Sequence, residues 1–534
     1  MGNLNGGLAM GGQTRRVFLE TLAKAGGTAM LLAGMEALGF GIGSAMAAPP
    51  SLVGTPKKKK VIILGAGNAG LSSAYELTKA GYEVTVIEAR SFVGGRAQTA
   101  RKGFQLTELG GEPQSCDFDD GLYINIGPWR IPYHHHSTLH YTKLFNVPLE
   151  LFNNDNDASF LYMEKTKGPL AGKPIRKGQV AADALGYTSE ILAKLSRQGA
   201  LDGQMSAEDT EQFIDFLVSF GYLSKKDLTY TGTAGRGFLV EPGAGVDPGP
   251  GKPSIPYKLN DVFDSGMGRL LHSVSDWEQQ RTMFQPVQGM EQIPKAIARH
   301  LPDGMIRFST EVQRIRQSGE GVTIDVVTDG QGTTMTADWC ICTIPLSVLK
   351  TIDNGLSAPF KTAMDQCAYA PVGKIGLQMK RRFWEEDHAI YGGHVYCDNP
   401  DINSISTPST GWQSQKGVLL GYYNFGAGAA KVSAKSAVER AAMAVDYGQK
   451  IFPAYRESYE KSFSVAWHRV KYNLGGWGVW SDEARATAYP VLTEPDGRIY
   501  LAGEHLSYLG GWQAGAFESA WQQVERLHAR AMKG

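Results

Sequence analysis

Cysteine is scarce in this 534-residue chain: Cys116, Cys340, Cys342, Cys367 and Cys397 are all there is, and none stands in a C-x-x-C pair. An odd count at such spacing gives no disulfide framework and no thiolate metal site. Net charge is missing too, with 53 basic residues against 53 acidic ones. Neither nucleic acid nor an anionic membrane is implied by that balance, so selectivity must come from local sites. There is no internal repeat and no low-complexity tract. Uninterrupted apolar runs of membrane length are absent as well, the N-terminal one being broken by Lys24 and Glu36. His134, His135 and His136 are consecutive. Three neighbours cannot all point at one ion from a regular element, and no acid or cysteine stands at ligand spacing, so no metal is expected.

What is present begins with an address. Thr14-Arg15-Arg16-Val17-Phe18-Leu19 precedes a run rich in Ala, Gly and Leu that ends in Ala45-Met46-Ala47, an A-x-A cleavage pattern. Residues 1–47 therefore resemble a twin-arginine export signal, cut after Ala47, which would make the mature protein periplasmic or secreted with no stable membrane span. This export route suits proteins that fold around a cofactor before translocation. The basic run at residues 57–60 reads as a solvated lead-in to the first strand.

Residues 61–64, Val-Ile-Ile-Leu, form a continuous apolar run of the buried parallel-strand kind. Gly65, Gly67 and Gly70 follow at G-x-G-x-x-G spacing and let the backbone turn sharply beside a pyrophosphate. A helix opening near Asn68 offers free N–H groups to that phosphate, its Leu71, Ala74 and Leu77 share one face, and Gly81 stands where it should end. Residues 83–87 read as the second strand, and Glu88 lies 23 positions past Gly65. A carboxylate there accepts both ribose hydroxyls and repels a 2′-phosphate, which argues against NADP. The pattern predicts a bound dinucleotide and by itself admits NAD as well as FAD.

At this length two or three folding units are expected, and 42% hydrophobic content is that of a soluble globular protein. The chain reads as α/β, with the Rossmann-like cofactor domain assembled from residues 57–105, 280–347 and 481–534. In the second of these, strands are expected near 305–308, from Glu311, at 321–327 and at 339–344, where Cys340 and Cys342 share a face. In the third, the strand, turn and acid of 497–504 lead to a helix with Phe517, Trp521, Val524 and His528 on one side. Residues 106–175 and 348–480 form a mixed-sheet substrate-binding domain with strands at 374–380 and 418–423 and one helix near 434–452. Between the halves, residues 176–275 hold a helical insertion, with periodic stretches at 188–195 and 209–220, and an irregular Gly/Pro-rich loop at 231–256.

The chain resembles the flavin-containing amine oxidases, and within them the L-amino acid oxidases. The resemblance covers residues 60–527 and rests on the Gly65-to-Gly70 turn with Glu88-Ala89-Arg90 and Gly94-Gly95-Arg96, then Gly127-Pro128-Trp129-Arg130, residues 342–345, Lys374-Ile375, Phe383-Trp384-Glu385, Gly503-Glu504 and Gly510-Gly511-Trp512. It implies FAD in a domain of the glutathione-reductase-like (GR2) amine oxidase type, held by Gly65, Gly67, Ala69, Gly70, Glu88, Ala89, Arg90, Gly95, Arg96, Gly127, Pro128, Trp129, Arg130, Val312, Gly503, Glu504 and Trp512. It implies that Arg130 grips a substrate carboxylate, for which a guanidinium fork is suited, and that Lys374 holds a water against the flavin. Gly511 would take the substrate ammonium on its carbonyl, and Trp512 would wall the pocket. Trp467 and Trp477 are expected as further walls. Where related proteins place a tyrosine before a proline, this chain has Thr407-Pro408, and Tyr508 is the expected substitute.

The activity so implied is oxidative deamination of L-amino acids to 2-oxo acids, with ammonia and hydrogen peroxide released, molecular oxygen as acceptor and a homodimer as a family habit. An amine or polyamine oxidase, an amino acid 2-monooxygenase and a flavoprotein serving a protein partner remain as alternatives. Side-chain preference is open, with Glu386, Asp387 or an acid of the insertion as candidates for a cationic side chain.

Overall fold

The computed structural model describes residues 48–54, 58–274 and 277–533, without the side chains of 272–274. The export signal expected over residues 1–47 lies outside them.

Five parallel strands carry the cofactor side of the molecule. In spatial order they are Ile306–Arg307, Glu83–Ile87, Lys60–Leu64, Trp339–Cys342 and Ile499–Leu501. Val61 to Leu64 and all four residues of Trp339–Cys342 are buried, as strands covered on both faces must be. The five cysteines are all free and buried, and burial pushes the Cys342 thiol up to about 12. Helix Asn68–Lys79 follows the first strand, and the Gln513–Ala531 helix, with Phe517, Trp521, Val524 and His528 buried, follows the last. The Tyr141 hydroxyl joins the two, hydrogen-bonding to Ser72 Oγ (2.7 Å) and accepting from Trp521 Nε1 (2.8 Å).

A seven-stranded mixed sheet forms the second layer, in the order Tyr459–Ala466, Val372–Met379, Gly417–Phe425, Ser404–Thr407, Gly393–Cys397, Phe160–Tyr162, Ile175–Arg176. Only the Gly393–Cys397 and Phe160–Tyr162 pair is parallel. All eight residues of Val372–Met379 are buried. Its register against Gly417–Phe425 shifts between Ile375 and Gly376, one pair beyond the Lys374 to Tyr423 pairing. Such a bulge re-aims neighbouring side chains.

Several elements differ from their sequence expectation. The helix expected near 434–452 is Ala437–Gly448, started by a reciprocal capping box of Ser436 and Glu439, and an unexpected helix, Gly426–Ser433, precedes it. Strand Gln331–Ala337 is polar and largely exposed at a sheet edge, so it carries no alternation to read. The insertion holds helices Lys177–Arg197 and Ala207–Phe220. Its Gly/Pro-rich loop is tied down: buried Asp183 accepts from Arg236 Nε (2.5 Å), the Tyr230 hydroxyl (2.9 Å) and the Tyr257 N–H (2.9 Å). No helix among the described residues is long and apolar enough to cross a membrane.

Candidate active site

The turn after the first strand sets the site. Gly65 adopts φ +103°, and a Cβ on Gly70 would stand 1.9 Å from the Gly65 carbonyl oxygen, so only glycine lets the helix descend onto the strand. Gly67 differs, since a Cβ there would meet nothing within 4 Å. Its bare backbone leaves a cradle. The helix that starts at Asn68 has no side-chain cap and no acid in its first turn, so its amide groups and positive end are available to a phosphate.

These residues open onto a cavity of about 400 Å³. Gly65, Gly67, Ala69, Glu88, Ala89, Arg90, Gly95, Arg96, Gly127, Pro128, Val312, Lys374, Trp467, Trp477, Gly503, Glu504, Gly511 and Trp512 line it together. The Glu88 carboxylate accepts from the N–H groups of Ala66 (2.8 Å) and Arg90 (2.9 Å), and these bonds oppose the burial that raises its pKa. Each oxygen keeps a further lone pair for a ribose hydroxyl. Two lining side chains are left with work to do: Asn68 Oδ1 and both amide atoms of Gln513 are buried without a partner. Buried amides in that state are costly. A dinucleotide with hydroxyls, phosphates and ring amides matches the cradle and these orphans, so the residues fit one.

Glu504 organises the centre. Its carboxylate receives Arg96 Nη1 (2.7 Å) and the N–H groups of Gly478 (3.2 Å) and Gly511 (3.1 Å). Burial works against the Arg96 charge, but Glu504, with Tyr369, outweighs it and holds the guanidinium above its ordinary pKa. Gly511 is at φ +78°, and a Cβ there would lie 3.3 Å from the Trp477 ring. Trp467 is fixed by its Nε1–H to the Ile126 carbonyl (2.7 Å).

Lys374 is fully buried, donating to the carbonyls of Gly127 (2.5 Å) and Asn125 (3.3 Å) with the Tyr423 ring 4.3 Å from its Nζ. Burial, and then the charge of Arg130, press its pKa well below the ordinary value.

Arg130 lies beside the cavity, not in its lining, with its guanidinium 5.9 Å from the Trp129 ring centre and 5.8 Å from that of Trp512. Nη2 donates to Gln279 Oε1 (2.9 Å), and Nε is buried without an acceptor. Among the described residues no carboxylate pairs with it. Burial lowers its pKa, against a weaker pull from the phenols of Tyr396 and Tyr423. Trp129 likewise does not line the cavity; its ring packs between Phe152, His394 and Tyr423.

Two expected pocket residues are elsewhere. Thr407 is buried on its strand, with its hydroxyl directed at the Gly393 carbonyl (3.5 Å). Tyr508 is 73% exposed, its ring 4.5 Å from the Arg485 guanidinium and 5.3 Å from Tyr489. The positive-φ turn at Gly511 separates it from the site despite its nearness in sequence. Unforeseen from the sequence were Tyr423, which faces Lys374 across the strand register, Tyr396, and the segment 277–280. In that segment Glu278 accepts from Trp512 Nε1 (2.8 Å) and Gln279 meets Arg130. No periodicity marks that segment, and no local signal reports a cross-strand neighbour.

Residues 68–528 match the family model described as flavin containing amine oxidoreductase. The chain is 26% identical over 475 residues to the L-amino-acid oxidase of Protobothrops flavoviridis, covering 86% of each chain. It is 26% identical over 477 residues to that of Crotalus adamanteus, covering 86% of this chain and 85% of the relative. Among solved structures, a putrescine oxidase variant superposes with a TM-score of 0.58 at 18% identity, covering 89% of this chain and 99% of that one. Cyclohexylamine oxidase from Brevibacterium oxydans IH-35A gives 0.57 at 16%, with the same coverage. Both share the α/β fold of mixed sheets and helices.

Proposed function

Because the chain belongs to the flavin-containing amine oxidoreductase family, we propose that it oxidises L-amino acids, forming an imino acid that hydrolyses to a 2-oxo acid and ammonia while oxygen becomes hydrogen peroxide. Its cofactor is FAD, which when bound takes up the two electrons and delivers them to oxygen. The observation that carries the substrate reading is Arg130, a partly buried guanidinium with a vacant buried Nε and no protein carboxylate to answer it among the described residues. A substrate carboxylate supplies what it lacks.

The other residues have roles to match. Gly511, held by Glu504, presents a fixed carbonyl to the substrate nitrogen. Trp477, Trp512 and Tyr423 exclude water from the reacting carbon. Lys374, held below its ordinary pKa, exchanges a proton at Nζ at a pH where a solvated lysine would stay charged.

The test is a panel of L-amino acids against their decarboxylated amines, scored for peroxide and 2-oxo acid. Amino acids are expected to react and the amines to lag by at least a hundredfold. Equal turnover of both marks an amine oxidase, and release of an amide with carbon dioxide marks a 2-monooxygenase. We further propose that residues 1–47 direct twin-arginine export. Replacing Arg15 and Arg16 by lysine is expected to trap an uncleaved precursor in the cytoplasm, and normal export of that variant would refute the assignment.

A further inference from the structure

Beside the cavity, outside its lining, stands a charge that the reaction does not use. Glu278 is half-buried, accepts one hydrogen bond, from Trp512 Nε1 at 2.8 Å, and among the described residues has no lysine or arginine paired with it. The Trp512 indole that it touches lines the cavity, and the Arg130 guanidinium lies 5.8 Å from the centre of the same ring. Its neighbour Gln279 is the group that meets Arg130. One short segment therefore brings a carboxylate without a cationic partner among the described residues, and the partner of the carboxylate-binding arginine, to the surroundings of one ring.

Glu386 and Asp387, the acids considered from the sequence, are not available for this purpose, because both are bonded to Arg381 (2.8 and 2.7 Å). Beside Glu278, Trp277 and Tyr133 are 65% and 56% exposed and meet through the His134 ring, which lies 3.6 Å from Trp277 and 5.3 Å from Tyr133. Their faces tolerate a cation, whereas they would be indifferent to an anion at best. The surrounding bases do not compete for the carboxylate: burial holds His135, edge-on to Trp512, neutral with a pKa pushed down to about 3, and His134 also sits below its ordinary value.

We infer that Glu278 selects L-amino acids with a cationic side chain, receiving the distal ammonium or guanidinium while Arg130 receives the α-carboxylate. This rests on the amino acid reading proposed above and adds the substrate class to it. A substrate whose two charges are both answered is preferred over an isostere lacking one, since the isostere leaves the site's polar group unpaired.

The experiment compares L-lysine with L-norleucine, which lacks only the terminal nitrogen, and with cadaverine, which lacks the carboxylate, on the flavin-loaded enzyme. In the native enzyme kcat/KM for lysine is expected to exceed that for norleucine by roughly ten- to a hundredfold. Glu278→Gln, which keeps an acceptor for Trp512, is expected to bring that ratio close to one, and Glu278→Lys to turn preference toward L-glutamate. A native ratio of one or below, or a ratio that Glu278→Gln leaves intact, overturns the inference while leaving the amino acid reading in place. Cadaverine oxidised as fast as lysine overturns the amino acid reading itself. Should neither variant retain flavin, the native ratio still decides.

Discussion

Arg96 and Arg130 are both partly buried beside the same cavity, yet their surroundings push them in opposite directions. Arg96 meets Glu504 at 2.7 Å and the Gly476 carbonyl at 2.8 Å, and its charge is strengthened. Arg130 meets an amide and two indoles, and its charge is weakened. The first guanidinium is answered by the fold and belongs to the scaffold. The second is answered by nothing of opposite charge among the described residues, so its complement must arrive from outside.

Breaking the Arg96 side is expected to cost the most. Glu504→Gln leaves Arg96 without its acid and weakens two backbone N–H bonds that fix Gly478 and Gly511. Removing one partner of such a pair costs about 3–5 kcal/mol. Denaturant unfolding should show that loss, with weakened flavin retention. Stability within 1 kcal/mol of the parent would remove Glu504 from the scaffold.

Breaking the Arg130 side should be nearly silent in stability and loud in kinetics. Arg130→Met removes a charge for which the protein has no counter-ion, so unfolding is expected at the same denaturant concentration or higher. For a carboxylate-bearing substrate, loss of the partner costs about 2–5 kcal/mol, a drop of roughly thirty- to several-thousandfold in kcat/KM. An amine lacking the carboxylate should lose far less. If both substrates fall alike, Arg130 acts on the cofactor or the fold, and the contrast with Arg96 disappears.

How much of this contrast the sequence carries follows from what holds each part. The Gly65, Gly67 and Gly70 turn and Glu88 are legible because backbone sterics and a strand length dictate their spacing, and all but Gly70 line the cavity. Gly70 serves the helix–strand contact instead. The strand bearing Lys374 is legible as an apolar run, and its placement in the site came through resemblance. Tyr423 was not legible, because it reaches Lys374 only through cross-strand register. Tyr508 misled through proximity to Gly511, and Thr407 through alignment with a tyrosine that this chain lacks. Gln279 and Glu278 lie in a polar stretch before the Thr282–Pro286 strand, where only the folded chain shows which side chains meet.

The bases near the two arginines give a pH signature. Burial presses His135, against Trp512, to about 3 and His505, next to Glu504, to about 4. Both histidines are neutral in the folded protein and protonate in the unfolded chain near pH 6.5. Their contribution is fully present above that pH and is lost as pH falls from about 6.5 toward 4. Each removes about 1.4 kcal/mol per pH unit in that window, so stability should fall by about 3 kcal/mol per unit for the pair. Unfolding followed from pH 7.5 to 5 checks this, and replacing His135 by phenylalanine should flatten the slope by about half. A flat profile in the parent would mean that these rings reach water.

Gln279→Glu turns Arg130 into a second Arg96. The amide oxygen that now accepts from Arg130 Nη2, and also from Asn154 Nδ2 at 3.4 Å, becomes a carboxylate in the same place. The arginine then has an internal counter-ion, and a substrate carboxylate must displace it. A partly exposed ion pair of this kind is worth about 1–2 kcal/mol, so KM for L-amino acids should rise about five- to thirtyfold. Turnover at saturation should change less, because the displaced glutamate takes no part once substrate is seated. Thermal stability should rise slightly, the opposite of the Glu504→Gln result, and oxidation of a simple amine should keep its KM. An unchanged amino acid KM would show that the carboxylate approaches Arg130 from a side that Gln279 does not guard, through the vacant Nε and Nη1.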